Sequence, residues 1–546
     1  MRQTSLTLFL IGILVSAFIA ILLISQLILQ DFPNSGDEWA YLSQARIFST
    51  GRLSVDSPPN RAFFEVAWMI NNGKFYAKYP PGWPLILTPG ILLGAPWLIN
   101  PLLGIVTLVV LYRLGLLIFN SQPVALAAVG LTASSPFFLF QSASYWAHTS
   151  SLLFISLFVL FSLKGMREKW LWDFVLAGLC GAVSFLIRPF DQMIISALLG
   201  SWLLLLLWRK EISFAHIIGF SLTHAVGPLL LMGYNFLQNG HPFVMGYQLA
   251  LYTDETLLAP FLPGWKYLGG YLLELFLWTF PTSLIALFGL LWFKKKRIPS
   301  VHWKSSETFL LLTCLFFIFF YLFVPYHYLE GYGPRYYYSA FFALALLGGR
   351  GAIALLPPSP LVGEGRDGGG GDKRPLLPKM ATAICLGTYF LLLPYHGLSQ
   401  YKKVDDRLFF QRMVQEADLH NAVIFVKAFS GDLDPWNLVR NSINFDGDIV
   451  YVWDYGEELN EKIMEQYRGR QYFVYDYGEV LGEPRLRRVF SRNGQYSWAP
   501  ELIQNQDKSS RREKTLWQEW IRRIWKRSSD SQRHSQLSPG LRVQRV

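Results

Sequence analysis

Apolar runs long enough to cross a membrane recur from residue 6 to residue 396 of this chain, and they leave few folds open to it. Hydrocarbon offers backbone N–H and C=O groups no partners, so a crossing run folds as a helix, and about 20 apolar residues reach across. The first run, 6–29, follows Arg2, exceeds the apolar core of a secretory signal and lacks a small-x-small cleavage pattern. It is expected to be a retained helix. Others fall at 99–119, 124–141, 147–163, 171–187, 190–208, 213–237, 267–292, 308–324, 336–356 and 380–396. That makes about eleven spans. With 16% of residues charged, 52% hydrophobic and a mean hydropathy of +0.27, an ordinary soluble domain is excluded. The three cysteines, Cys180, Cys314 and Cys385, lie inside apolar runs, and no CxxC or histidine cluster points to metal.

The apolar piece 85–98 is short and holds Pro89, Gly90, Gly94 and Pro96, so it reads as interfacial, re-entrant or the first half of a broken helix. Charge parity favours its not crossing. Arg113, the Lys164/Arg167/Lys169 group, Arg209-Lys210, Lys294 to Arg297 and Lys373-Arg374 then fall at cytoplasmic ends. The opposite ends gather Asp37-Glu38, Lys78, His148, Arg188 and the 327–338 stretch. The expected orientation is N-terminus inside and C-terminal domain outside. The net charge of +11, spread as short clusters and a basic tail, fits this orientation better than nucleic-acid binding.

Residues 1–397 are expected to form the membrane module, with 31–84 as its long outer loop. Within it, 357–379 begins PPSPLVGEGRDGGGGDKRPLLP, a flexible cytoplasmic insertion that resembles a translated bacterial intergenic repeat. From 398 to 492 the composition turns polar. Strands are expected at 421–426, 448–453 and 471–476 and a helix at 456–468, giving a small α/β domain. The tail 493–546 is basic, and 514–527 reads as an interfacial helix or as part of a disordered tail.

Four places could carry chemistry. Asp37-Glu38 puts carboxylates just beyond the first span, where a partly desolvated acid can take a proton from a hydroxyl. The plainer alternative is a solvated loop or a helix cap. Lys78, before Tyr79-Pro80-Pro81, can hold a phosphate where the loop re-enters the membrane, or simply snorkel. Arg188 pairs with Asp191 or with a ligand phosphate, while His148 reads as a hydrogen-bonded structural histidine. The stretch 326–338, YHYLEGYGPRYYY, offers His327, Glu330, Arg335 and Tyr336. Its glycines permit close approach, its arginine suits phosphate and its tyrosines supply hydroxyls and stacking faces.

The acidic pair after the first helix, the lysine with its prolines, and Gly-Pro-Arg-Tyr-Tyr occur in the order seen in the GT-C class of polyprenyl-phosphate-sugar-dependent membrane glycosyltransferases. The chain resembles the bacterial group related to protein O-mannosyltransferases and lipid A aminoarabinose transferase, over roughly its first 400 residues. That resemblance implies a mainly α, GT-C-type transmembrane bundle with a small outer α/β domain. It implies Asp37 as general base with Glu38 as its companion, Lys78 near the lipid-linked phosphate, and Arg335 and Tyr336 in the carrier-phosphate site. Tyr79, His148, Arg188, His327 and Glu330 complete the expected substrate-contacting set. Two departures stand out. Tyr79 separates the lysine from the prolines, and Ser142, Ser144 and His148 stand where some relatives have a second acid, leaving metal use and acceptor class open.

The expectation is therefore inverting transfer of a sugar from a polyprenyl-phosphate donor to a lipid, glycan or protein acceptor outside a bacterial inner membrane. No cofactor or metal ligand is assigned. The alternatives are a transporter or flippase using the same charges as a path, and a scaffold without catalysis.

Overall fold

Every apolar run singled out above contains helix in the computed structural model, which describes residues 3–66, 68–250, 268–286, 306–323, 331–355, 376–427, 438–476, 485–492 and 495–502. Helix α1 (Gln3–Leu23) continues through a π turn, Ile24–Ile28, to the outer loop. The loop holds α2 (Gly36–Ser49) and a small antiparallel sheet of β1 (Val55–Asp56), β2 (Met69–Asn71) and β3 (Lys74–Ala77), with β3 in the centre. After it comes α3 (Gly82–Leu92), whose 11 residues span about 16 Å at 1.5 Å each, too short for a bilayer. The piece 85–98 thus does not cross as one helix; a 3-10 turn at Pro96–Leu98 leads instead into α4 (Ile99–Phe119).

The run 124–141 departs from expectation. It forms α5 (Gln122–Ser134) and α6 (Pro136–Ala143), bent by 62°. Pro136 has no N–H and its ring clashes with the preceding turn, so it opens a new helix rather than extending the old one. Then follow α7 (His148–Glu168), α8 (Leu171–Ile187), α9 (Pro189–Trp208), α10 (Phe214–Asn239) and the short α11 (Gly246–Leu249). Next come α12 (Leu268–Thr279), α13 (Ser306–Tyr321), α14 (Phe341–Leu355) and α15 (Leu376–Glu416). Among the described residues five helices are long and apolar enough to cross, or six with the bent pair counted once. Several others are shorter apolar helices packed among them.

α15 runs for 41 residues, and the boundary expected at 397 falls inside it. It leads directly into a C-terminal sheet, ordered β5-β4-β6-β7-β8: β4 (Ala422–Lys427) lies parallel to β5 (Ile449–Asp454) and β6 (Gln471–Asp476), followed by antiparallel β7 (Arg485–Arg492) and β8 (Gln495–Leu502). Helix α16 (Glu457–Gln466) joins β5 to β6. The three expected strands and the helix are present, and β8 extends the sheet past residue 492. Of the insertion expected at 357–379, residues 376–379 begin α15 instead, and the rest, like the segment 514–527, lies outside the described residues.

The sheet packs on the loop between α1 and α3 through aromatic edges: Phe63 against Tyr455 at 5.0 Å, and Phe445 between Phe64 at 5.1 Å and Phe75 at 5.0 Å. Trp453 Nε1 donates to the Glu65 carbonyl at 2.7 Å and Tyr455 to that of Ala62 at 3.2 Å. The path from α1 into the loop is strained, because Gln30 and Asp31 both take left-handed backbone, at φ 53° and 51°. Such residues cost about 1–3 kcal/mol each and persist where their surroundings hold them.

Candidate active site

Ser35 starts the site. Its extended backbone lets Oγ accept from the Glu38 N–H at 3.2 Å, capping α2 and satisfying one of the donors that a helix start leaves open. Asp37 and Glu38 then occupy the first turn, where the helix dipole favours negative charge.

Two adjacent acids meet different surroundings. Asp37 is half-buried and accepts through Oδ1 from the phenol of Tyr79, which ties the first turn of α2 to the end of the loop; no described residue donates to its other oxygen. Glu38 is buried, and both its oxygens are engaged: Oε1 accepts from the Tyr145 N–H at 2.9 Å and Oε2 from Ser35 Oγ at 3.2 Å. Burial pushes its carboxyl up from the ordinary 4.5 to about 7, against the pull of the Tyr145 and Ser35 bonds and of the Arg407 charge.

Tyr79 sits 4.6 Å from the Tyr41 ring and 5.6 Å from that of Tyr247. Burial and the neighbouring Asp37 charge hold its phenol well above the ordinary range, so it remains a donor. Lys78 lies beside it, with Nζ 5.7 Å from the Tyr79 ring. Burial lowers the lysine's pKa, Asp37 opposes that shift and Arg335 adds to it. The backbone of Lys78 is pressed against α11, because a Cβ on Gly246 would stand 2.5 Å from the Lys78 carbonyl oxygen. Only glycine fits there.

The arginines arrive from helix ends. Gly333, at φ 81° against the Trp278 ring, turns the chain so that Arg335 begins the 3-10 turn Arg335–Ala340 leading into α14. Arg335 is buried with its guanidinium 4.1 Å over the ring of Trp146. Tyr336 stacks on Tyr321 at 5.0 Å. Arg188, between α8 and α9, donates through Nε to Asp191 at 2.6 Å, meets His148 Nε2 through Nη1 at 3.1 Å and donates to the Tyr321 hydroxyl at 3.4 Å. Asp191 also accepts from Ser339 at 2.5 Å and from the Tyr321 phenol. Of the two partners weighed for Arg188, the aspartate is therefore in place, and His148 is the hydrogen-bonded residue expected.

Asp37, Lys78, Tyr79, Arg335 and Tyr336 thus gather where the loop meets the helix ends, with Arg188 and His148 beside them. His327 and Glu330 lie outside the described residues. Sequence reasoning did not single out Trp146, Tyr247, Tyr321 or Ser339 as site residues; Tyr321 lies within an apolar run, where an interfacial tyrosine is unremarked. Among the described residues no three His, Cys, Asp or Glu side chains gather as a metal site would need.

No family model and no curated protein matches the sequence. The structure is similar to that of ArnT from Cupriavidus metallidurans bound to undecaprenyl phosphate, with TM-score 0.53 and 12% identity, covering 91% of this chain and 98% of that one. The apo ArnT structure gives TM-score 0.51 and 14% identity with the same coverage. The chain has the ArnT-like, mainly helical polytopic fold with a small C-terminal α/β sheet.

Proposed function

We propose that this membrane protein transfers a sugar from a polyprenyl-phosphate donor to a hydroxyl or amine of a glycolipid, polysaccharide or protein, outside a bacterial inner membrane. The observation that carries the reading is the meeting of one accessible carboxylate, Asp37, with the cations of Lys78 and Arg335 at one end of an ArnT-like bundle. ArnT holds undecaprenyl phosphate in one of its crystal structures, which supports a polyprenyl phosphate as carrier.

In this reading Asp37 removes the acceptor's proton as its oxygen or nitrogen attacks the anomeric carbon. The bond from that carbon to the phosphate oxygen breaks, the electron pair leaves with the phosphate, and attack from the opposite face inverts the configuration. The departing phosphate gains a negative charge, which Lys78 and Arg335 stabilise. The Tyr79 phenol orients Asp37 and leaves one carboxylate oxygen for the acceptor. Arg188, already paired with Asp191, supports the Tyr336 face of the phosphate site, and Glu38 braces α2 against the Tyr145 backbone. The charged residues sit at helix ends instead of along a path through the bundle, which favours transfer over transport.

The test is sugar transfer from a panel of polyprenyl-phosphate sugars to membrane extracts, with wild-type protein and Asp37→Asn in nanodiscs. Transfer by wild type alone, with the donor still bound by the variant, is expected. Equal transfer by both would remove Asp37 as base.

A further inference from the structure

The six residues between the first span and α2 are held at every position. Gln30 Oε1 accepts from Arg412 Nη2 at 2.8 Å, and Asp31 accepts from the Tyr145 phenol. Phe32 lies 4.8 Å under the Arg440 guanidinium, whose Nη2 also donates to the Pro33 carbonyl at 3.1 Å. Asn34 Oδ1 accepts from Arg407 Nη1 at 3.0 Å, and Ser35 caps the helix. Three of these partners are arginines from late in the chain, Arg407 and Arg412 on the extramembrane end of α15 and Arg440 between β4 and β5.

These arginines are not the whole contact between the outer sheet and the loop. The Phe63, Phe64 and Phe75 edges against Phe445 and Tyr455 already bury the apolar surface between the two parts. The arginines instead address a backbone path, gripping a carbonyl, an amide oxygen and a ring at consecutive residues. A guanidinium is suited to this, since its planar donors fix direction as well as distance. Their targets end one residue before the cap, and Asp37 follows two residues after it. The first turn of α2 therefore starts from a segment whose course the outer domain sets, across strained backbone that would otherwise relax.

We propose that Arg407 and Arg440 are positioning residues: by fixing Pro33 and Asn34 they set where the Asp37 carboxylate stands relative to Tyr79, which makes the outer α/β domain a working part of the transfer site. The inference rests on Asp37 acting as base. The Arg407 charge reaches the adjacent buried Glu38 as well, so the same side chain steadies both acids of the turn.

The experiment uses the full chain in nanodiscs, as Arg407→Ala, Arg407→Lys, Asn34→Ala and the Arg407→Ala/Asn34→Ala pair. Amide exchange is followed over 33–40, alongside turnover and binding of undecaprenyl phosphate. Arg407→Ala is expected to speed exchange over 33–40 while leaving α7 and α9 protected. It should lower turnover on the order of tenfold or more with carrier affinity unchanged, as a misplaced catalytic group does. Arg407→Lys, which keeps the charge and one donor, should recover part of the loss, and the pair should be no worse than the worse single change. Unchanged exchange over 33–40, or strictly additive losses, would overturn the proposal. Asn34→Ala, which removes only the accepting amide, decides the matter if Arg407→Ala does not fold. If wild type transfers no sugar, the reading of Asp37 falls, while the exchange data still decide whether the arginines hold the segment.

Discussion

Asp37 and Glu38 are adjacent in sequence and opposite in environment, and the difference is testable residue by residue. Glu38 is an acid whose folded pKa, about 7, lies above its ordinary 4.5. Below 4.5 it is protonated folded or unfolded, and its contribution to stability is fully present. As pH rises, the unfolded form ionises first, so the contribution is lost up to about 7. The expected outcome is a melting temperature that falls across this window in wild type and falls less in Glu38→Gln, which carries no charge and can still accept from the Tyr145 N–H. The difference corresponds to about 3 kcal/mol at one pKa unit per roughly 1.4 kcal/mol. Parallel curves would show that Glu38 does not titrate there. Tyr79→Phe keeps the ring contacts to Tyr41 and Tyr247 and removes only the hydroxyl that donates to Asp37. Turnover should drop about tenfold with donor affinity retained, the scale of a hydrogen bond to a charged group. An unchanged turnover would remove Tyr79 from the orienting role. The two acids were legible in the sequence as candidates, but their division was not, because it depends on Tyr145, which is 107 residues from Glu38.

At the scale of elements, the legible features were those written in local pattern. Apolar runs gave helices, short runs of β-branched and aromatic residues gave β4, β5 and β6, and the short, proline-bearing 85–98 gave a helix that stops early. Arg188 and Asp191, three apart at a helix start, were in view as a pair, with a ligand phosphate as the other partner weighed, and the pair is present. What could not be read were meetings between distant elements. Gly246 carries no signal in Met245-Gly246-Tyr247, yet α11 lies against Lys78 only because that residue lacks a side chain. Gly246→Ala should therefore displace the Lys78 backbone and weaken binding of a polyprenyl phosphate more than it lowers thermal stability. Isothermal titration beside a melting curve separates the two, and an unaltered affinity would show that β3 moves without cost. The break between α5 and α6 was legible in principle, since Pro136 was in view, but the apolar run continues straight through it.

For the whole molecule, the expected insertion beginning at residue 357 falls between α14 and α15, and most of it lies outside the described residues. Replacing 357–375 with a short Gly/Ser linker should leave transfer and melting temperature unchanged, because its glycine- and proline-rich composition cannot build a core. A loss of transfer would give that segment a function. The site is assembled from both ends of the chain, and this has a consequence for synthesis. Asn34 leaves the ribosome 373 residues before the arginine that holds it. At about 5–20 residues per second, that interval is roughly 20–75 seconds. During it the loop stands outside the membrane without its late partners, and chains arrested before residue 400 should insert yet leave 30–36 open to protease, whereas finished chains should not. Protection in the arrested chains would count against this. The acid proposed to act on the substrate is then among the first residues made and among the last to be set, so on that reading an unfinished chain stays idle.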